Sequence, residues 1–147
     1  MQNQSKFSFA LLLLMLVAIC PAAAAQTNNF RARLSEVPVT PLDYRQITGV
    51  GEVFATLNGS TLTVTGTFKG LTSVATGAHI HSAPKAMNGP PVQTLEVTAA
   101  TAGEISGTVE LTAEQVEALR NESLYIMVHS ETHPGGVIRG WLLPRKS

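Results

Sequence analysis

The chain has one cysteine, Cys20, and it lies ahead of everything that reads as a folded domain. A domain built from residues 26–147 therefore has no disulfide, and its fold must rest on an apolar core. A chain of that length buries enough surface to fold without covalent staples. An excess of either charge is also missing: ten Lys and Arg face ten Asp and Glu. That balance leaves no electrostatic footprint for nucleic acid or for an acidic membrane surface. No apolar run is long enough to cross a bilayer. Phe7 to Ile19 spans only 13 residues, whereas a transmembrane helix needs about 20. A Gly-x-Ser-x-Gly elbow is absent too, so Ser82 and Ser130 lack the setting of a nucleophile although both stand beside histidines. No internal repeat, low-complexity tract or second domain interrupts residues 26–147.

What the short apolar run does fit is an export leader. Lys6 supplies a charged start, Phe7–Ile19 an apolar stretch of secretory length, and Ala23-Ala24-Ala25 a small-residue cleavage site. Cleavage after Ala25 would leave a chain beginning at Gln26, with net charge near −1, destined for the periplasm or the extracellular space. The lipoprotein alternative, modification at Cys20, places bulky Ile19 where a small residue is needed.

Beyond the leader the periodicity is two almost throughout. Phe30, Ala32 and Leu34 alternate with Arg31 and Arg33. Val53, Ala55 and Leu57 lead into Asn58-Gly59, after which Leu62, Val64, Gly66 and Phe68 alternate with threonines. Asn-Gly between alternating runs predicts a tight hairpin, read as a type I′ turn. Further strands are predicted around Gly77–His81, Gln93–Thr98, Gly103–Glu110, Ser123–His129 and Gly136–Leu143. One helix interrupts them over Thr112–Arg120, where Thr112 and Gln115 form a capping box and Val116 and Leu119 share the apolar face. The expectation is an all-β antiparallel sandwich or barrel of about seven to nine strands.

All four histidines fall into two pairs, His79-x-His81 and His129 with His133. Residues two apart on a strand share a face, about 6.5–7 Å apart along it. His79 and His81 therefore aim into one volume, where a metal ion accepts imidazole nitrogens at about 2.0–2.1 Å. In the strand ending at His129, Leu124, Ile126 and Val128 form one face, and Tyr125, Met127 and His129 the other. The aliphatic face is the predicted core, which puts all three histidines outside it, under the proline-rich segment Ser82–Pro91. His133, in the turn before Pro134-Gly135-Gly136, could swing back as a fourth member. The competing reading makes the rings hydrogen-bond partners of loop carbonyls. Arg139 is expected to pair with a carboxylate such as Glu131 or to stack on an aromatic ring. Tyr125, on the histidine face, could hydrogen-bond into the cluster.

Together these segments resemble the CHRD domain, a family named for repeats in chordin and common as single copies in secreted bacterial proteins. The resemblance rests on Phe30-x-Ala32-x-Leu34 with Glu36-Val37-Pro38, Ala78-His79-Ile80-His81, Asn88-Gly89-Pro90, Tyr125, Val128-His129, His133-Pro134-Gly135-Gly136 and Ile138-Arg139-Gly140. Val137 stands where an acidic residue is usual and Trp141 where a polar one is, which puts in doubt any carboxylate partner at the first of these positions beside Arg139. The resemblance implies an immunoglobulin-like fold distantly similar to copper/zinc superoxide dismutases. It assigns no biochemical activity.

A two-metal dismutase is excluded, because four histidines cannot furnish two centres and the structural disulfide has no cysteines. Three functions remain. One is an exported CHRD module that binds a transition metal, copper or zinc, through His79, His81, His129 and His133. The second is a copper-only, dismutase-like oxidoreductase. The third is a metal-free sandwich that binds protein partners at the cell envelope.

Overall fold

A computed structural model describes residues 28–145. The export leader expected over residues 1–25 lies outside them. The chain runs through β1 (Asn29–Glu36), β2 (Val50–Asn58), β3 (Thr61–Lys69), β4 (Ala75–Ser82), β5 (Pro91–Val97), β6 (Gly103–Glu110), α1 (Ala113–Arg120), β7 (Leu124–Ser130), β8 (Ile138–Trp141) and β9 (Leu143–Pro144). All pairings are antiparallel, in the order β2-β3-β6-β5-β4-β7-β8-β1, and β1 returns to β2. Eight strands thus close into a barrel in which each has two hydrogen-bonded neighbours, and closure removes exposed edges. The two-residue β9 prolongs β8 along the same edge of β1, in the same register. Strands β1 and β5 turn the corners. Residues 29–34 of β1 pair with β2, while Ser35 and Glu36 pair with β8. β5 likewise passes from β4 to β6.

The period-two pattern is the cause of this architecture. Phe30, Ala32 and Leu34, with Val53, Ala55, Leu57, Leu62, Val64 and Phe68, point inward and are buried, as are Ile80, Ile105 and the aliphatic face of β7. The helix begins where its cap predicts. The Gln115 backbone N–H donates to Thr112 Oγ1 at 3.3 Å, and the Thr112 N–H donates to Gln115 Oε1 at 3.2 Å. Leu119 is fully buried in the core, with Val116 and Ala118 packed against it. No helix among the described residues is long and apolar enough to cross a membrane.

Two local expectations shift. The β2–β3 hairpin pairs Asn58 with Thr61, so the central turn residues are Gly59 and Ser60 rather than Asn58 and Gly59. Gly59 has φ +63° and Ser60 is not in the positive region. This is the pattern of a type II′ turn, which needs glycine only at its first central position. The final strand expected over Gly136–Leu143 starts later and splits in two. Gly136, at φ +116°, belongs to the turn, and the chain passes from pairing with β7 to lying on β1.

Candidate metal centre

The outer face of the β4–β7–β8 sheet carries the chemistry, and cross-strand register decides which side chains meet. His79 lies opposite Met127, His81 opposite Tyr125, and Gly77 opposite His129. Met127 faces Arg139 on its other side, and Tyr125 faces Trp141. Because Gly77 has no side chain, the His129 and His79 rings approach across the space it leaves; a Cβ there would stand 3.3 Å from His79 Cε1. The ring centroids of His79 and His129 are 5.0 Å apart, those of His81 and His129 5.7 Å, and those of His79 and His81 6.0 Å. One nitrogen from each ring falls within 4.8 Å of the others. Such a trio can hold a metal ion.

This face lies away from the main core yet is not open. Tyr125, Met127 and Ala83 form a second small buried cluster, with Val37 and Trp141 against it. His81 is buried, while His79 and His129 are half-buried. The segment Ala83–Pro90 makes the cover and is pinned at several points. Gly89 donates its N–H to the Tyr125 hydroxyl at 3.0 Å, and its carbonyl accepts from that hydroxyl at 3.3 Å. Trp141 Nε1–H donates to the Ala83 carbonyl at 3.0 Å. The Arg139 guanidinium bonds to the Asn88 side chain and lies 4.9 Å over Trp141 and 5.8 Å from the Tyr125 ring centre. Of the two partners expected for Arg139, the aromatic one is what the structure shows. Tyr125 stacks on His81 with centroids 5.0 Å apart and planes at 22°.

Hydrogen bonds fix which nitrogens are free. His81 Nδ1 lies 2.9 Å from the Gly89 carbonyl, and His129 Nδ1 lies 2.9 Å from the Pro134 carbonyl. A carbonyl oxygen only accepts, so each Nδ1 carries the proton, and in the neutral ring each Nε2 keeps its lone pair. Those Nε2 atoms and His79 Nδ1 are buried and have no hydrogen-bond partner. The hydrogen-bonding role weighed for these rings thus accounts for one nitrogen of His81 and of His129, and leaves three buried nitrogens without a partner. Burial lowers the pKa of His79 and His129 below 6.5, and the neighbouring imidazoles lower both further; the Pro134 carbonyl partly opposes this at His129. The neutral form, the one that ligates, is favoured.

His133 stands outside the trio. Its Nδ1 lies 3.0 Å from the Thr132 hydroxyl, which in turn contacts Ser73 Oγ at 2.7 Å. Reciprocal backbone bonds between Ser130 and His133 close the turn, and it is the Pro134 carbonyl that reaches back to His129. The positioning parts of the site, Gly77, Gly89 and the Pro134 carbonyl, carry no signal in the sequence beyond glycine and proline in suspected turns.

An all-β antiparallel barrel with a partly buried histidine trio outside its core defines the class of protein. The family model for the CHRD domain matches residues 30–142, and the chain belongs to that family. No curated protein and no solved structure matches it.

Proposed function

We propose that this CHRD domain is an exported binding module that holds one transition-metal ion, copper or zinc, on His79, His81 and His129. The observation that carries this is the convergence of three rings, one nitrogen of each within 4.8 Å of the others, on which three buried nitrogens have no hydrogen-bond partner. Two of the three rings donate their other N–H to a backbone carbonyl, the outer-shell arrangement that fixes tautomer and orientation in metal-bound histidines. Imidazole donors suit copper and zinc. Three protein ligands are also the number that leaves a coordination position for water or a small ligand. His133 has its own partner in Thr132 and is given no ligand role in this reading. The leader read over residues 1–25 supports export.

The test is elemental analysis of untagged protein, followed by titration of the chelator-treated form with zinc and copper. One equivalent bound in wild type, and none in a His79→Ala, His129→Ala double variant, is expected. A wild-type protein that retains no metal and binds none would overturn the proposal. It would leave the metal-free, protein-binding reading.

A second reading, a copper-only oxidoreductase akin to superoxide dismutase, draws on one observation. Tyr125 stacks on His81, and Trp141 lies 4.9 Å beyond it, so two oxidisable rings adjoin the centre. Superoxide consumption by copper-loaded protein, compared with the His79→Ala, His129→Ala variant, decides between binding and turnover.

A further inference from the structure

The chain is neutral as a whole, but its charges are sorted. Two clefts of about 690 and 560 Å³ lie side by side on the outer face of β1 and share Arg31, Arg33 and Ser35. Arg31, Arg33, Lys69, Lys85, Arg139 and Arg145 line them. Arg45 and Arg120 are the other basic side chains among the described residues. Of the chain's ten Asp and Glu, Glu36 and Glu52 alone line these clefts.

Part of this basic charge is already engaged. Arg31 pairs with Glu52 and Lys85 with Glu122. Arg139 lies over Trp141 and Arg145 over Phe54. The side chain of Arg33, which is exposed and belongs to both clefts, makes no ion pair or hydrogen bond among the described residues, and neither does that of Lys69. Trp141, Leu143 and Pro38 add apolar surface to the larger cleft.

We infer that the paired clefts form a binding site for an acidic oligosaccharide, a chain of sugar rings bearing carboxylates, and that Arg33 is its central anchor. A planar guanidinium binds a carboxylate through two parallel hydrogen bonds, and apolar lining that accompanies the cations suits the C–H faces of sugar rings. The larger cleft has the volume of a small-ligand site, and its continuation past Arg31 and Arg33 admits further units. An acidic peptide is the weaker fit. Peptides commonly gain affinity by adding a strand to an open sheet edge, and the barrel ring is closed. β9, which prolongs the β8 edge along β1, is two residues long and ends in Pro144, which has no N–H to donate. None of the three histidines lines the clefts, although the larger one borders the cover of the trio at Lys85, Arg139 and Trp141, and binding here does not depend on a metal.

Calorimetric titration of the purified protein with hexagalacturonate, cellohexaose, hexaglutamate and hexathymidylate tests this. Hexagalacturonate should bind at least about tenfold more tightly than the other three, and its affinity should fall as salt is raised. Arg33→Glu and Lys69→Glu should each weaken it by about tenfold or more, whereas Arg45→Glu, the same charge change outside the clefts, should leave it unchanged. Both clefts' variants replace side chains at the surface, so an unchanged melting temperature will show that they fold. No binding of hexagalacturonate, equal binding of hexaglutamate or hexathymidylate, an equal effect of Arg45→Glu, or loss of binding in EDTA would each overturn the assignment.

Discussion

His79→Ala is the sharpest perturbation of the proposed centre, because of what His79 does not do. His81 and His129 each hold a backbone carbonyl, so removing either ring breaks a hydrogen bond as well as a ligand set. The His79 ring makes no hydrogen bond among the described residues, is half-buried, and contributes a nitrogen without a partner. Its truncation should move the stability of the metal-free protein by less than about 1 kcal/mol, within the range of substitutions away from the core. Its effect on the metal-bound form should be far larger. At a free metal concentration about 100 times Kd, binding stabilises the native state by about 2.7 kcal/mol. Loss of one of three ligands should weaken affinity by about 100-fold or more, since outer-shell changes alone cost about 10–100-fold. At the same metal concentration the stabilisation then falls to about 0.4 kcal/mol. With about 4 °C of melting temperature per kcal/mol for a domain of this size, metal should raise the wild-type midpoint by about 10 °C and that of the variant by about 2 °C. Differential scanning calorimetry with and without zinc or copper reads both numbers. An equal metal-induced shift in the two proteins would refute the reasoning. So would a variant that loses several kcal/mol without metal, because His79 would then be a structural residue.

Gly89→Ala would drive a Cβ into the Ser82 carbonyl and against Ala83, displacing the carbonyl that holds His81. Metal affinity measured by competition with a chromophoric chelator should drop about 10–100-fold. Tyr125→Phe keeps the ring stacked on His81 but leaves the Gly89 N–H without its hydroxyl partner; chemical denaturation should show a loss of about 1–2 kcal/mol. The metal-free protein should be pH-sensitive in one direction. His79 and His129 have native pKa values held below the unfolded reference of about 6.5. Stability should therefore be level above about pH 6.5 and fall as pH drops below it, where the unfolded chain takes up protons that the native rings resist. Stability that rises on acidification from pH 7 to 5 would contradict the lowered pKa values of His79 and His129.

Much of the barrel was legible because its determinants are local. Thr112 and Gln115 mark the helix start through bonds they make to each other, and alternation assigns the inward face of β1, β2, β3 and β7 without knowledge of their partners. Closure was not legible, which is why a sandwich and a barrel both fitted. It depends on β1 pairing with β2 along most of its length and then with β8 over Ser35 and Glu36, a matter of strand curvature that period-two patterning does not encode. The hairpin register was missed by one residue for a related reason. Asn58-Gly59 satisfies two turn types, and the sequence motif alone does not say which residue ends the strand.

The site divides the same way. Parity placed His79, His81 and His129 on the face away from the aliphatic core, because their spacing along two strands leaves no other choice. That these strands are neighbours, with Gly77 opposite His129, is a tertiary fact. So is the fate of His133. Three residues separate it from His129, close enough along the chain to suggest a shared site. The intervening turn is closed by Ser130 and His133 backbone bonds, which leave its ring on Thr132. The basic clefts were the least visible feature. Arg31 and Arg33 read as the solvent side of an alternating strand, and the neutral total hid the sorting. Lys69, Lys85, Arg139 and Arg145 come from four other places in the sequence and join them only when β1 crosses from β2 to β8. Charge segregation of this kind is a property of the closed surface, so a neutral composition argues against a polyanion-binding face only when the charges are also spatially mixed.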